Sequence, residues 1–318
     1  MKKALICMPI MNDEYKARFL EAGGDCELIF KAPKELTAAD FDGVDAAVGA
    51  IPAGFLHEQP LEFVQLSSAG ADAHVKPGLL RRDTVLCCCT GAYSQTVAEH
   101  GLASTLAMLK KLHIYRDDQR NHVWGDAGTT GTIDGATVLV MGLGDIGKYY
   151  ARMAKALGAY VIGVKRTAGE KPDCVDELYT TDRFEEIAGR ADIIFSVMPS
   201  TPETVHFYTA ERFAMMKKSA IFINCGRGTA VDMAVLYDVL KNGVIDSAAV
   251  DVFETEPLPA ESPLWELENL FITPHASGFF HLPATYGRVL DICLHNLKAW
   301  LGEGGYMNVV DYSTGYKK

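Results

Sequence analysis

Three side chains of complementary chemistry stand late in this chain. Arg227 lies between two glycines, Glu256 lies in an acidic turn, and His275 lies in Pro274-His275-Ala276-Ser277-Gly278. A guanidinium flanked by glycines is exposed and planar, suited to bidentate recognition of a carboxylate. A histidine can give or take one proton near neutrality. A carboxylate bonded to that ring would orient it and favour its charged form. Separately they read as a surface arginine, a capping glutamate and a loop histidine. Together they could bind a small acid and move one proton beside it.

A glycine turn supplies the second chemistry. Gly142-Leu143-Gly144-Asp145-Ile146-Gly147 falls between an apolar strand pattern (137–141) and a helical one (148–157). This is the setting of a dinucleotide-binding fingerprint, with the pyrophosphate over a helix N-terminus. Candidate cofactor contacts here are Gly142, Gly144, Asp145, Ile146 and Gly147. A second apolar run (160–164) ends at Lys165-Arg166-Thr167. Enzymes that use NAD place Asp or Glu there to accept the ribose hydroxyls. Two cations and a hydroxyl would instead hold a 2′-phosphate, so NADP(H) is expected over NAD(H). If both cations are merely solvated, or Arg166 stacks on adenine, either cofactor would be tolerated.

These residues require elements to position them. Six apolar runs follow one another at 137–141, 160–164, 192–198, 220–224, 247–252 and 270–273, most separated by helical segments. That pattern predicts a doubly wound six-stranded parallel sheet, with ligands at the carboxyl ends of the strands. Pro199, Thr204, Cys225, Arg227, Asp251, His275 and Gly278 sit just past those ends and complete the candidate cofactor set. Before them, runs at 4–10, 26–30, 46–50, 63–66 and 85–89 predict a smaller flavodoxin-like α/β domain. One long helix is expected from Ser94 to about Asn121, and the helical segment 285–301 returns the chain to the first domain. The expected division is 1–98 with 287–318 as substrate domain and 99–286 as dinucleotide-binding domain.

Composition narrows the class. The 318 residues are 48% apolar and 22% charged, with a formal net charge of −11. That charge argues against a nucleic-acid surface or an anionic membrane partner. It also means that an anionic ligand needs a local positive site. The apolar start (4–11) runs into Asn12-Asp13-Glu14 and reads as a buried strand, not a signal peptide. The eight cysteines contain no C-x-x-C pair, and Cys87-Cys88-Cys89 reads as small buried strand residues in a reducing cytoplasm. No metal is called for. Cys225 has a backbone role in this reading. His100, His113 and His122 are explained by packing or solvent on the long helix. His281 is a candidate substrate-lining residue, and His57, His74, His206 and His295 have no partner pattern.

Segments 138–147, 196–204, 223–228, 251–257 and 272–275 resemble the D-isomer-specific 2-hydroxyacid dehydrogenases, of the glyoxylate/hydroxypyruvate reductase kind. Ser68-Ala69-Gly70-Ala71-Asp72 and Val97-Ala98-Glu99-His100 resemble the family's substrate loop and hinge less specifically. The resemblance implies Arg227 as the carboxylate binder, His275 as acid/base, Glu256 as its partner and the Ala69-Gly70 backbone as substrate clamp. It places Asp251 near the nicotinamide amide and Thr96 or Val97 near its ring. The activity implied is hydride transfer between NAD(P)(H) and C2 of a small 2-oxoacid, in a cytoplasmic homodimer. Two alternatives share the scaffold: phosphoglycerate dehydrogenase and a nucleotide-sensing corepressor-like protein.

Overall fold

Both faces of a parallel sheet are covered, so its strands form where the sequence offers short apolar runs. A computed structural model describes residues 1–57, 59–280 and 282–317, so His281 lies outside the described residues. In the first unit, β1 (Lys3–Cys7), α1 (Asp13–Gly23), β2 (Glu27–Phe30), β3 (Ala46–Gly49), β4 (Phe63–Leu66) and β5 (Val85–Cys87) follow in order. Asn12 starts α1 by accepting the Tyr15 amide at 2.8 Å. The five strands are parallel in the order β2-β1-β3-β4-β5, the flavodoxin-like arrangement. Leu5, Phe41, Val64, Leu66 and Leu86 form its core.

The second unit holds α2 (Ser94–Leu109), α3 (Leu112–Arg120), β6 (Thr137–Met141), α4 (Asp145–Ala156), β7 (Tyr160–Lys165) and β8 (Glu177–Thr180). It continues with α5 (Phe184–Ile187), β9 (Ile193–Ser196), α6 (Ala210–Ala214), β10 (Ile221–Asn224), α7 (Met233–Lys241), β11 (Ser247–Val250) and β12 (Leu270–Ile272). Its parallel sheet runs β12-β11-β10-β9-β6-β7-β8. The chain then returns to the first unit through α8 (Pro283–Trp300) and a small antiparallel pair, β13 (Val310–Asp311) and β14 (Tyr316–Lys317). There α8 packs on α1, β3 and β4. Its buried Asn296 donates to Gln65 Oε1 at 2.6 Å and accepts the Met307 amide at 2.7 Å.

Three details differ from the sequence reading. The dinucleotide sheet has seven strands where six were expected. The added one, β8, is a half-buried edge strand, Glu-Leu-Tyr-Thr, with no apolar run to announce it. Polar bonds serve it instead: Glu177 accepts the hydroxyls of Tyr160 and Tyr179 at 2.7 and 2.6 Å, and pairs with Arg190. The long helix is two helices, because Lys111 takes a left-handed φ of 55° between them. The units divide at Tyr93/Ser94 and Phe279/Phe280, not at 98/99 and 286/287. Helices pack as whole bodies, so each division falls ahead of α2 and α8.

One row of paired residues crosses the seven-stranded sheet: Tyr179, Val164, Met141, Ser196, Asn224, Val250 and Ile272. The residues that follow six of these are Lys165, Gly142, Val197, Cys225, Asp251 and Thr273. Neighbouring strands stand ~4.8 Å apart, so these positions form one rim. Below the rim, Leu139, Ile162, Ile194, Phe213, Phe222 and Leu236 fill the core. On α4, Tyr150 stacks on Phe195 at 3.8 Å and bonds Thr105 of α2 at 2.7 Å.

At the glycine turn, Gly142 needs its φ of 100°. A Cβ at Gly147 would sit 2.1 Å from the Gly142 carbonyl oxygen, whereas at Gly144 it would meet nothing within 4 Å. The first and third glycines are thus demanded by the fold itself. Gly147→Ala is expected to lower the melting temperature by roughly 3–10 °C, the cost of overpacking a close contact. Gly144→Ala should leave it unchanged. Thermal denaturation followed by circular dichroism checks both, and equal losses in the two variants would contradict this assignment.

Candidate active site

His275 follows β12 with a left-handed φ of 51°, a region that disfavours any residue with a side chain. Two bonds from its amide hold it there, to Asp251 O at 2.8 Å and Thr273 O at 3.0 Å. Its Nδ1 meets Glu256 Oε2 at 2.7 Å. The other oxygen of Glu256 accepts the Phe253 amide at 2.9 Å. The carboxylate is therefore fixed at one oxygen while the other orients the ring. The imidazole is half exposed and bonds Glu256 through Nδ1.

Asp251, 1% exposed, anchors the loop that carries His275. Its Oδ1 accepts the Thr273 hydroxyl at 2.6 Å and the Ala276 amide at 2.8 Å, and Oδ2 accepts the Ser277 amide at 3.1 Å. His100 adds a bond to the Thr273 hydroxyl at 3.1 Å, with Asp251 3.8 Å away. Packing on the long helix thus understates His100, which belongs to this polar network. Its partners lie more than 150 positions away in sequence, and no local pattern signals them.

Arg227 has extended backbone (φ −136°, ψ 138°) at the start of a short turn, Gly228–Ala230. Buried Asn224 bridges that turn, donating to Arg227 O at 3.2 Å and accepting the Gly226 amide at 3.1 Å. A Cβ at Gly228 would lie 2.0 Å from the Phe253 carbonyl carbon. Only glycine lets the arginine turn approach the Glu256 loop so closely. The Cys225 thiol is buried and pushed up by that burial, then by Asp251. Its amide donates to Ser196 O at 3.0 Å, a backbone role in the turn.

The glycine turn has the form that suits a dinucleotide. The Gly142 and Leu143 amides bond Val164 O at 3.1 and 2.9 Å, closing the turn onto β7. Gly144 caps α4, leaving the helix amino end and its first-turn residues Asp145 and Ile146 behind open space. A helix start of this kind suits a pyrophosphate. Lys165 ends β7, and Arg166 and Thr167 after it are exposed. Nearby, Glu203 is held below the usual carboxylate range, first by the Thr201 hydroxyl and in smaller part by Arg166. Thr204 locks the turn after β9, donating to Pro199 O at 2.6 Å and accepting the Thr201 amide at 2.8 Å. Gly278 lies in the turn that follows His275.

In the first unit, the Ala69-Gly70 turn follows β4. The Ser68 hydroxyl donates to Gly70 O at 2.8 Å, and the Thr90 hydroxyl to Ala69 O at 3.4 Å. Thr96 and Val97 lie in the first turn of α2. Cys89 lies 3.9 Å from Cys293 and packs as a buried thiol. Among the remaining histidines, His206 has a partner after all: its Nε2 meets Glu254 Oε1 at 2.5 Å. That bond raises the imidazole pKa, so the charged pair is complete below roughly pH 6.5 and weakens as pH rises through the raised value. No helix of the described residues is long and apolar enough to cross a membrane.

The D-isomer specific 2-hydroxyacid dehydrogenase NAD binding domain matches residues 102–277. A family protein from Aeromonas salmonicida shares 29% identity at a TM-score of 0.85, over 98% of this chain and 99% of that one. The NADPH-dependent glyoxylate/hydroxypyruvate reductase of Sinorhizobium meliloti, solved with NADP and sulfate, shares 27% at 0.83, over 99% and 100%. A D-3-phosphoglycerate dehydrogenase of Methanocaldococcus jannaschii is 30% identical over 281 residues, 86% of this chain and 53% of the relative. The chain thus spans about half of that relative's length. The chain belongs to the D-isomer specific 2-hydroxyacid dehydrogenases, NAD(P)-dependent oxidoreductases that bind a nicotinamide cofactor on this domain.

Proposed function

We propose that this enzyme is a reductase of small 2-oxoacids, of the glyoxylate or hydroxypyruvate type, that prefers NADP(H). The observation carrying the reading is the bond of 2.7 Å between His275 Nδ1 and Glu256 on the rim that also bears Arg227. A bound nicotinamide supplies the hydride that C2 receives. Arg227 takes the substrate carboxylate with its planar fork. His275 delivers a proton from Nε2 to the C2 oxygen as that hydride arrives. Glu256 fixes the ring and supports its positive charge until the proton leaves. Asp251 holds the loop at the distance this requires.

Lys165, Arg166 and Thr167 hold the 2′-phosphate in this reading, and the 0.83 TM-score to an NADP-bound reductase supports it. A second copy of the chain covers Leu112, Val123 and Trp124, exposed at 54%, 52% and 104%, giving a homodimer. We place the enzyme in the cytoplasm, in keeping with its free thiols. The phosphoglycerate dehydrogenase relative adds one further candidate substrate, 3-phosphoglycerate.

His275→Ala is expected to lower kcat by ~10²–10⁴, the usual worth of a positioned general acid, with cofactor affinity nearly unchanged. Arg227→Leu should raise KM for the oxoacid steeply, and Arg227→Lys should not restore it, since an ammonium lacks the planar fork. Steady-state kinetics on the best oxoacid decides. Parental kcat in the His275 variant would move the proton donor elsewhere.

Cofactor choice is checked by kcat/KM with NADPH and NADH. One or two charge-assisted bonds correspond to a preference of roughly tenfold to several thousandfold for NADPH. Lys165→Asp combined with Arg166→Ala should cut that ratio at least about tenfold, mainly through KM for NADPH. Equal or better efficiency with NADH in the parent would overturn the preference.

A further inference from the structure

His206, Glu254 and Asp232 play no part in the reaction drawn above, yet they tie together the loops that do. His206 closes the loop after β9, which carries Pro199 and Thr204. Its amide donates to Thr229 O at 2.7 Å, in the turn that Arg227 begins. In the same turn, the Thr229 hydroxyl meets the Ser200 hydroxyl at 3.0 Å. The imidazole then crosses to Glu254 at 2.5 Å, two residues before Glu256. The second oxygen of Glu254 accepts the Met233 amide at 3.1 Å, at the start of α7. Asp232 caps the same helix through the Ala234 and Val235 amides, and its carboxylate lies within 4.8 Å of the other two side chains. One histidine thereby joins the loops after β9, β10 and β11.

Stability alone gives little reason for this arrangement. The His206 side chain is 49% exposed, and exposed ion pairs contribute little to folding. Its φ of 50° is left-handed, a region that few residues with a side chain adopt. Backbone strain held by a polar bond at the rim of a site is a feature of functional positioning. The charged groups facing the imidazole are Glu254 and Asp232, and both favour the charged ring.

We propose that the His206–Glu254 pair is a clasp that holds the loops bearing Arg227 and Glu256 in working register. His206 is then a positioning residue that touches neither substrate nor cofactor. The proposal rests on the 2-oxoacid reductase reading, and one of its two readouts does not depend on turnover.

His206→Gly keeps the left-handed backbone and removes the ring, whereas His206→Gln restores a donor that reaches Glu254. The glycine variant should melt with the parent yet exchange the Met233 and Phe253 amide hydrogens faster. Its kcat/KM for the best oxoacid should fall about 10- to 100-fold, since small misplacements of reacting groups are costly. His206→Gln should recover most of that loss. Unchanged exchange at Met233 and Phe253 would overturn the clasp whether or not any oxoacid is turned over. Faster exchange with parental kcat/KM would overturn its positioning role. A parent that reduces no 2-oxoacid would instead overturn the proposed function.

Discussion

A single buried carboxylate sets the working geometry of this enzyme. Removing a charge from water is costly unless hydrogen bonds replace the lost solvation. Asp251 meets that requirement with the Thr273 hydroxyl and the Ala276 and Ser277 amides. These donors bracket His275 on both sides. The loop can therefore take one path only, and the unfavourable φ of His275 is held by the bonds around it. The backbone oxygen of Asp251 adds the bond to the His275 amide at 2.8 Å.

The shared register of the parallel sheet extends that local constraint to the whole rim. Because Ser196, Asn224, Val250 and Ile272 are level, the chain leaves four adjacent strands at the same height. Short loops then suffice to bring different side chains to one edge. Gly228 allows the arginine turn to lie against Phe253, and Glu254 reaches back to His206. Each loop leans on its neighbour. A change in one is expected to be felt at the next.

Much of this was legible in the sequence, for definite reasons. Buried parallel strands must be apolar, so six of the seven strands of the larger sheet, and all five of the smaller, announced themselves. The glycine turn was legible because close packing leaves no alternative at Gly147. Arg227, Glu256 and His275 stood out as residue types placed at strand ends. What was hidden depends on tertiary contact. The edge strand β8 is polar and half buried, the break at Lys111 is a single backbone angle, and His100 and His206 find partners 173 and 48 positions away. No periodicity encodes such pairings. The exact residues where the units divide were hidden too, since a helix start and a domain edge look alike in a sequence.

The proposed mechanism requires Arg227 and His275 to act on one substrate. A crystal structure with NADP⁺ and oxamate, an unreactive mimic of a 2-oxoacid, shows whether they do. The expected result is a carboxylate held bidentate by Arg227, with the neighbouring carbonyl oxygen about 3 Å from His275 Nε2. A carboxylate bound away from Arg227, or a carbonyl oxygen outside hydrogen-bond reach of His275, would contradict the mechanism.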